Sequence, residues 1–449
     1  MPLERSIQAE QGFKTSDQSA RKKLLSKQTG PLRLTPEKPK QGKKIALVGW
    51  SVASIEAMEK LGRPFIVVSL PGFKEHAELH SIPFYGWDFG ENLDYEEVYE
   101  RSEELHRILA DLDVDHAIPI YEETVEWAGA LNSRFRDDAR IFDHSTLFRD
   151  KAMMKRRALL GGLRVGIFEE ANNKDDVRQF FNRVNHVLLR MRGDSHDPIH
   201  VKAHNKAGAA GHRMILSERD IDEKIKDDSF PLLMESHLHG LEISCEAFIH
   251  EGKIRFLNIT EYVVFGYSMM VPPTEAVEKV RPLVRQEIEK LVDAFDIQYG
   301  LIHPEFFISD DNTIYFGEVA YRIPGGHIFD LMQKTYDFNP YEAHILCCDP
   351  NTTEEELKDF FPGEDQKNGH AGSFLVYPKV SYASGINIPK ELEEHPSFDK
   401  HTLFQPSGGK MQVDSEGYGN HLGTIFFHGE DAEEVKRLLT DYVDHDFYI

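Results

Sequence analysis

His303-Pro-Glu-Phe-Phe-Ile-Ser-Asp-Asp-Asn-Thr-Ile-Tyr-Phe-Gly-Glu-Val-Ala320 reads as a β-hairpin that sets two carboxylates face to face. Asp311 and Asn312 both tolerate positive φ, and a two-residue turn there pairs Glu305 with Glu318. Directly opposed side chains have Cβ atoms about 5 Å apart, where like charges destabilise a sheet. A cation is therefore expected between them, and neither strand contains Lys or Arg. Oxygen donors of this kind suit Mg²⁺, with Mn²⁺ possible, sharing its shell with phosphates and water. By period-two alternation Phe307, Ile314 and Phe316 fall on the carboxylate face, which predicts a face that is mostly buried.

The 449 residues allow two to four domains, and 40% hydrophobic with 11% aromatic residues specify a globular chain. A net charge of -24 disfavours nucleic acid or an anionic membrane as partner, so any polyphosphate needs a local basic site. Three cysteines, Cys245, Cys347 and Cys348, form no C-x-x-C and no paired framework, which points to a reducing compartment. No apolar run reaches the roughly 18 residues of a membrane span. A cytoplasmic protein is expected. Residues 1–42 are polar and poor in large apolar side chains, and up to position 44 the chain has eleven Lys or Arg against four Asp or Glu. This predicts a disordered basic tail.

From Lys44 strands and helices alternate. Ile45–Gly49, a helix over 52–61, Pro64–Leu70, a helix over 95–111, the strand Ala117–Tyr121 and a helix with Val125, Ala128 and Leu131 make a parallel α/β domain over 43–145. No G-x-G-x-x-G follows Gly49, so a dinucleotide site is unsupported. Further on, His200-Val-Lys-Ala is followed by a segment whose residues between Lys206 and Gly211 are all small, Gly208 among them. Such a loop lets backbone N–H groups approach phosphate oxygens, and Lys202 adds a point charge. Pro231 to Ile249 reads as two apolar strands hairpinned about Gly240, with Glu235 and Glu242 flanking the bend.

A lysine, a small-residue loop, a strand pair with Glu at each side, two opposed carboxylates and then Arg322 follow one another in an order that resembles the ATP-grasp superfamily. The resemblance is closer to its carboxylate-amine ligases, including L-amino-acid ligases. It implies a Rossmann-like pre-ATP-grasp domain, an ATP-grasp domain over 146–345 and a small β-rich C-terminal domain over 346–449, an α/β and α+β multidomain chain. It implies ATP and Mg²⁺ as cofactors. Lys151 and Lys202 match the lysines that hold the ATP phosphates, Lys206 to Gly211 the phosphate lid, and Glu235, Ser236 and Leu238 the linker at the adenine edge. Glu242 matches the acid on the ribose hydroxyls, Glu305 and Glu318 the metal carboxylates, and Arg322 the arginine that contacts the acyl phosphate or the substrate carboxylate. Two departures stand out: many members carry Asn as a third metal ligand where this chain has Ala320, and the strand lysine is followed by Ala203 instead of Pro.

The function so implied is an ADP-forming ligase that joins a small-molecule carboxylate to an amine through an acyl phosphate, with Arg322 and Lys202 as its catalytic residues and a homodimer possible. Carboxylase-like or purine-pathway activation of a small acid is the alternative, and a non-catalytic nucleotide-binding protein is a third class. Among 22 histidines there is no H-E-x-x-H, so zinc is not expected. His303 shares a face with Glu305 and reads as a satisfied core histidine, a place behind the metal ligands being the alternative. The segment Tyr262 to Pro273 is the candidate substrate wall.

Overall fold

A computed structural model of the protein describes residues 37–192, 197–204, 211–406 and 421–449. Residues 1–36 of the expected tail, and the lid residues Lys206 and Gly208, lie outside them. The first sheet holds β1 (Lys44–Val48), β2 (Phe65–Ser69), β3 (Phe84–Gly86) and β4 (Val114–Pro119), all parallel, in the order β3-β2-β1-β4. Its central strands are continuous apolar runs because both faces are covered. The helix Val52–Leu61 is started by the Ser51 side chain, which accepts from Ser54 N, and is stopped by Gly62 in the left-handed region. An Asp94–Glu97 capping box starts Tyr95–Asp111. At Gly49, φ is 121° and a Cβ would stand 2.6 Å from the Tyr121 ring. This glycine permits a close approach at the ends of β1 and β4.

The second sheet is antiparallel: β5 (Phe168–Ala171), β6 (Ile199–Ala203), β7 (Arg213–Ile215) and β8 (Leu232–Ser236), in the order β5-β8-β6-β7. The third and largest contains β9 (Leu241–His250), β10 (Lys253–Val264), β11 (Ser268–Val271), β12 (Tyr299–Ile308), β13 (Ile314–Ala320), β14 (His370–Leu375), β15 (Phe398–His401) and β16 (Thr424–Gly429). Its order is β13-β12-β9-β10-β11-β14-β16-β15, so the C-terminal strands extend the sheet that carries the acidic hairpin.

The expected hairpin about Gly240 does not form. β8 and β9 belong to different sheets, and residues 237–240 carry the chain from one to the other. Gly240 has φ 129°, and a Cβ there would meet Ile308 O at 2.1 Å. The backbone is pressed onto the end of β12, where only glycine fits, and is redirected instead of folding back.

The β12–β13 hairpin does form, and Glu305 is paired with Glu318, but by another route. The loop is three residues, Asp310 to Asn312: Asn312 N donates to Ser309 O at 2.8 Å, Ser309 N to Thr313 O at 3.0 Å, and Asn312 alone has positive φ, 61°. A two-residue type I′ turn needs positive φ at both central positions, which Asp311 does not adopt. The register below the loop is therefore one residue off, Ile308 facing Ile314 and Phe306 facing Phe316, until Gly317 is passed over as a bulge and Glu305 meets Glu318. A bulge reverses parity. Phe306, Ile308, Ile314 and Phe316 point into the core, with the Phe306 and Phe316 rings edge to face at 6.0 Å, whereas Glu305, Phe307 and Glu318 lie on the opposite face. The expectation that Ile314 and Phe316 share the carboxylate face is thus corrected. That face is partly open, with the side chains of Glu305 and Glu318 27% and 32% exposed. Cys245, Cys347 and Cys348 are free and buried. No helix among the described residues is long and apolar enough to cross a membrane.

Candidate active site

Register carries the acidic hairpin's face across the sheet. Glu305 faces Ser244 and Phe307 faces Glu242 on β9, while Thr260 and Asn258 on β10 face Ser244 and Glu246. Alternation therefore aligns Glu242, Ser244, Glu246, Asn258, Thr260, Tyr262, His303, Glu305 and Glu318 on one surface. Tyr262 OH donates to Glu305 Oε1 at 3.3 Å, which brings the start of the candidate substrate wall into the site. Met269, Met270 and Val271, from the same wall, are core.

The cations come from two other elements. Asp150 caps the helix Lys151–Leu160 by accepting from Ala152 N and Met153 N, and so holds Lys151 at its first position. Lys151 Nζ lies 2.8 Å from Glu318 Oε2. One turn on, Lys155 donates to Gly317 O at 2.7 Å and pairs with Glu235. Lys202 on β6 reaches the other oxygen of Glu235 at 2.9 Å. Glu235, expected at the adenine edge, thus has its side chain engaged between two lysines. Lys155 was not singled out in the sequence, although its i, i+4 relation to Lys151 puts both on one helix face.

These contacts sort the carboxylates. Burial favours the neutral form of Glu318, but Lys151 and Lys202 outweigh it and hold the group at about 2. Glu235 is likewise held well below the usual range, because Lys155 and Lys202 outweigh its burial. Glu242, by contrast, is pushed up to about 9 by burial and then by Glu305 and Glu318. Glu305 is raised by burial and by Glu318. The surface therefore has acidic groups in excess of what its lysines neutralise, and its donor set is carboxylate oxygen, which fits a hard divalent cation. Among the described residues the group of three ligand atoms within 4.8 Å of one another is a different one, His250, Glu251 and Glu354. There Lys38 holds Glu251 and Arg255 holds Glu354, so side-chain cations already occupy the carboxylates.

Arg322 follows β13 and donates from Nε to Glu122 Oε2 at 2.9 Å. Glu122, just past the carboxyl end of β4, accepts at its other oxygen from Arg149 at 2.7 Å, and Arg149 also reaches Glu126 at 2.8 Å. Neither Glu122 nor Arg149 had been picked out, since their meaning depends on a contact between residues 200 positions apart. Ser236 Oγ accepts from Ile167 N at 3.0 Å, and Leu238 packs beside Gly166 at the crossover. Gly211 stands at φ 72° where the described chain resumes. Next to Lys202, three imidazoles form a row: His200 Nδ1 is 2.8 Å from His212 Nε2, and His200 Nε2 is 2.9 Å from His237 Nδ1. Burial and the neighbouring His212 and Lys202 push His200 down to about 3, and burial and Lys202 push His212 down to about 4, so both are neutral at pH 7.

No protein-family model matches the chain. It is 22% identical over 344 residues to an L-arginine-specific L-amino acid ligase of Bacillus subtilis, spanning 72% of this chain and 78% of that protein. The crystal structure of an L-amino acid ligase from Bacillus licheniformis superposes with a TM-score of 0.68 at 16% identity, over 91% of this chain and 99% of that one. An N5-carboxyaminoimidazole synthetase from Staphylococcus aureus, in complex with ADP, superposes with a TM-score of 0.63 at 15% identity, covering 89% and 97%. With this succession of sheets and with lysines and carboxylates meeting where they join, the chain has the ATP-grasp fold.

Proposed function

We propose that the protein is an ATP-dependent, ADP-forming ligase that joins a small carboxylic acid, of the amino-acid class, to an amine. The observation that carries this is the contact of Lys151 with Glu318 opposite Glu305, a lysine ammonium set against a carboxylate pair. Similarity to L-amino acid ligases over most of the chain supports the choice of substrate class. In the proposed reaction a carboxylate oxygen of the acid attacks the γ-phosphorus, the bond to the β-phosphate oxygen breaks and ADP leaves. The amine then attacks the acyl carbon, the carbon–oxygen bond to phosphate breaks, and the amine proton passes to phosphate or solvent. Such chemistry needs positioning and charge neutralisation more than a protein nucleophile.

Lys151 and Lys202 hold phosphate oxygens in this scheme, exchanging Glu318 and Glu235 for the nucleotide. Arg322, oriented by Glu122, faces the acyl phosphate oxygens. Glu305 and Glu318 would hold the divalent ion, which when bound would offset the negative charge of the phosphates. Leu238 and the 235–238 crossover would take the base and Glu242 the ribose. The test is a hydroxylamine trap: with ATP, Mg²⁺ and a panel of amino acids, a hydroxamate and stoichiometric ADP are expected. Release of AMP and pyrophosphate would mean an acyl adenylate and would reject the scheme.

A further inference from the structure

The sheet β5-β8-β6-β7 is covered on one face and open on the other. Ile199, Val201, Ile215 and Met234 are buried in one apolar cluster with Phe180 and Val184 of the helix Lys174–Arg192. By alternation His200 and Lys202 project from the other face of β6. There His200 is paired with Glu235 on β8 and with Met214 on β7, and Met214 is 44% exposed. His200, His212 and His237 are only half-buried.

The three imidazoles lie nearly flat. The ring centre of His200 stands 5.0 Å from that of His212 and 5.2 Å from that of His237, while the contacting nitrogens are 2.8 and 2.9 Å apart. Rings so placed meet at their edges, and the neighbouring planes are tilted by only 27° and 28°. A neutral imidazole has one N–H and one lone pair, so His200 donates to one neighbour and accepts from the other. Both of its nitrogens are thereby engaged, and turning the ring would break two hydrogen bonds at once. No in-plane atom of His200 is left for a polar ligand. What the held ring can offer is its face.

We infer that His200 is a stacking platform for the base of the bound nucleotide, with His212 and His237 as the positioning residues that hold its ring, and that this platform favours purine over pyrimidine nucleotides. The inference rests on the ATP assignment in the proposed ligase. Strand pairing puts His200 level with Glu235, at the start of the 235–238 crossover, and Lys202 two residues along the same face, about 7 Å away. A nucleotide whose phosphates reach Lys202 and whose base edge meets the crossover lays its base across the side chain between them. Every base has a π face that stacks on an aromatic ring, and a bicyclic purine covers more of a tape of rings than a pyrimidine does.

Histidine-selective ¹³C NMR of the full chain tests this, with ADP and inorganic tripolyphosphate as the two ligands. Tripolyphosphate fills the phosphate contacts without supplying a base. In the wild type ADP is expected to shift the ring C–H resonances of His200 by ring current, and tripolyphosphate is not; the His200 signals are assigned by their loss in His200→Phe. His200→Ala should weaken ADP about tenfold to hundredfold and leave tripolyphosphate affinity nearly unchanged. His200→Phe keeps a flat ring and should retain more ADP affinity than His200→Ala. A purely structural role for the row would weaken both ligands together. No ADP-specific shift in the wild type, equal loss of ADP and tripolyphosphate affinity in His200→Ala, or equal affinity of the wild type for ADP and CDP would each overturn the proposal. Hydroxamate formation in the same preparation reports separately whether the ligase assignment stands.

Discussion

Arg322 and Arg149 grip opposite oxygens of one carboxylate, Glu122, so the arginine beside the acidic hairpin is held in place from the end of the parallel sheet. Burial alone would raise Glu122, but the two guanidiniums outweigh it and the group titrates below its ordinary value. Glu122→Gln keeps the shape and removes the charge that orients Arg322. The expected result is a fall in kcat of about tenfold or more, with KM for ATP nearly unchanged. Glu122→Ala also leaves Arg322 without its carboxylate and Arg149 with Glu126 alone, and a loss of about 1–3 kcal/mol is expected by denaturant unfolding.

Lys202→Ala separates binding from orientation in the other direction. Its charge serves ground and transition states alike, so KM for ATP should rise by about tenfold or more while kcat falls less. Lys155 remains to neutralise Glu235, and the variant should fold. An unchanged KM assigns the phosphates to another lysine.

Glu318→Gln removes one of the paired carboxylates and the partner of Lys151. ATP-dependent phosphate release should be abolished, with the far-ultraviolet circular dichroism spectrum intact. A folded variant with full activity would place the metal elsewhere.

The carboxylates also predict opposite pH dependences. Glu318 titrates at about 2 when folded against an ordinary 4.5, so it stabilises the fold above about pH 4.5, and that contribution disappears as the pH falls toward 2. Glu242 is reversed: at about 9 when folded, it adds instability as the pH rises from 4.5 toward 9. Glu242→Gln should therefore raise the melting temperature of the metal- and nucleotide-free protein at pH 8 and change it much less at pH 4.5. Equal shifts at both values would refute the electrostatic cause.

Much of this architecture was legible from local chemistry. The helices at 52–61 and 95–111 followed from strand–helix alternation, their ends being fixed by Ser51, Gly62 and the Asp94–Glu97 box, and the pairing of Glu305 with Glu318 followed from the acidic hairpin. What escaped was long-range. Gly240 looked like a hairpin bend because its constraint, Ile308 O, lies 68 residues away. Phe316 was placed on the wrong face because alternation assumes an unbroken strand. Lys155, Glu122 and Glu246 carry no motif, and only tertiary contact gives them partners.

Gly317 serves this strand through its backbone alone. Its carbonyl receives Lys155, and a Cβ would stand 3.0 Å from Glu305 O, so the position is occupied by backbone alone. Removing it would put the count back in step from the loop outward. Glu318 would then follow Phe316 directly, and plain alternation would keep Phe316 in the core and Glu318 opposite Glu305. A single codon deletion here would thus keep both faces of the strand and remove the carbonyl that receives the buried Lys155, so its cost should fall on that lysine and not on the phenylalanines.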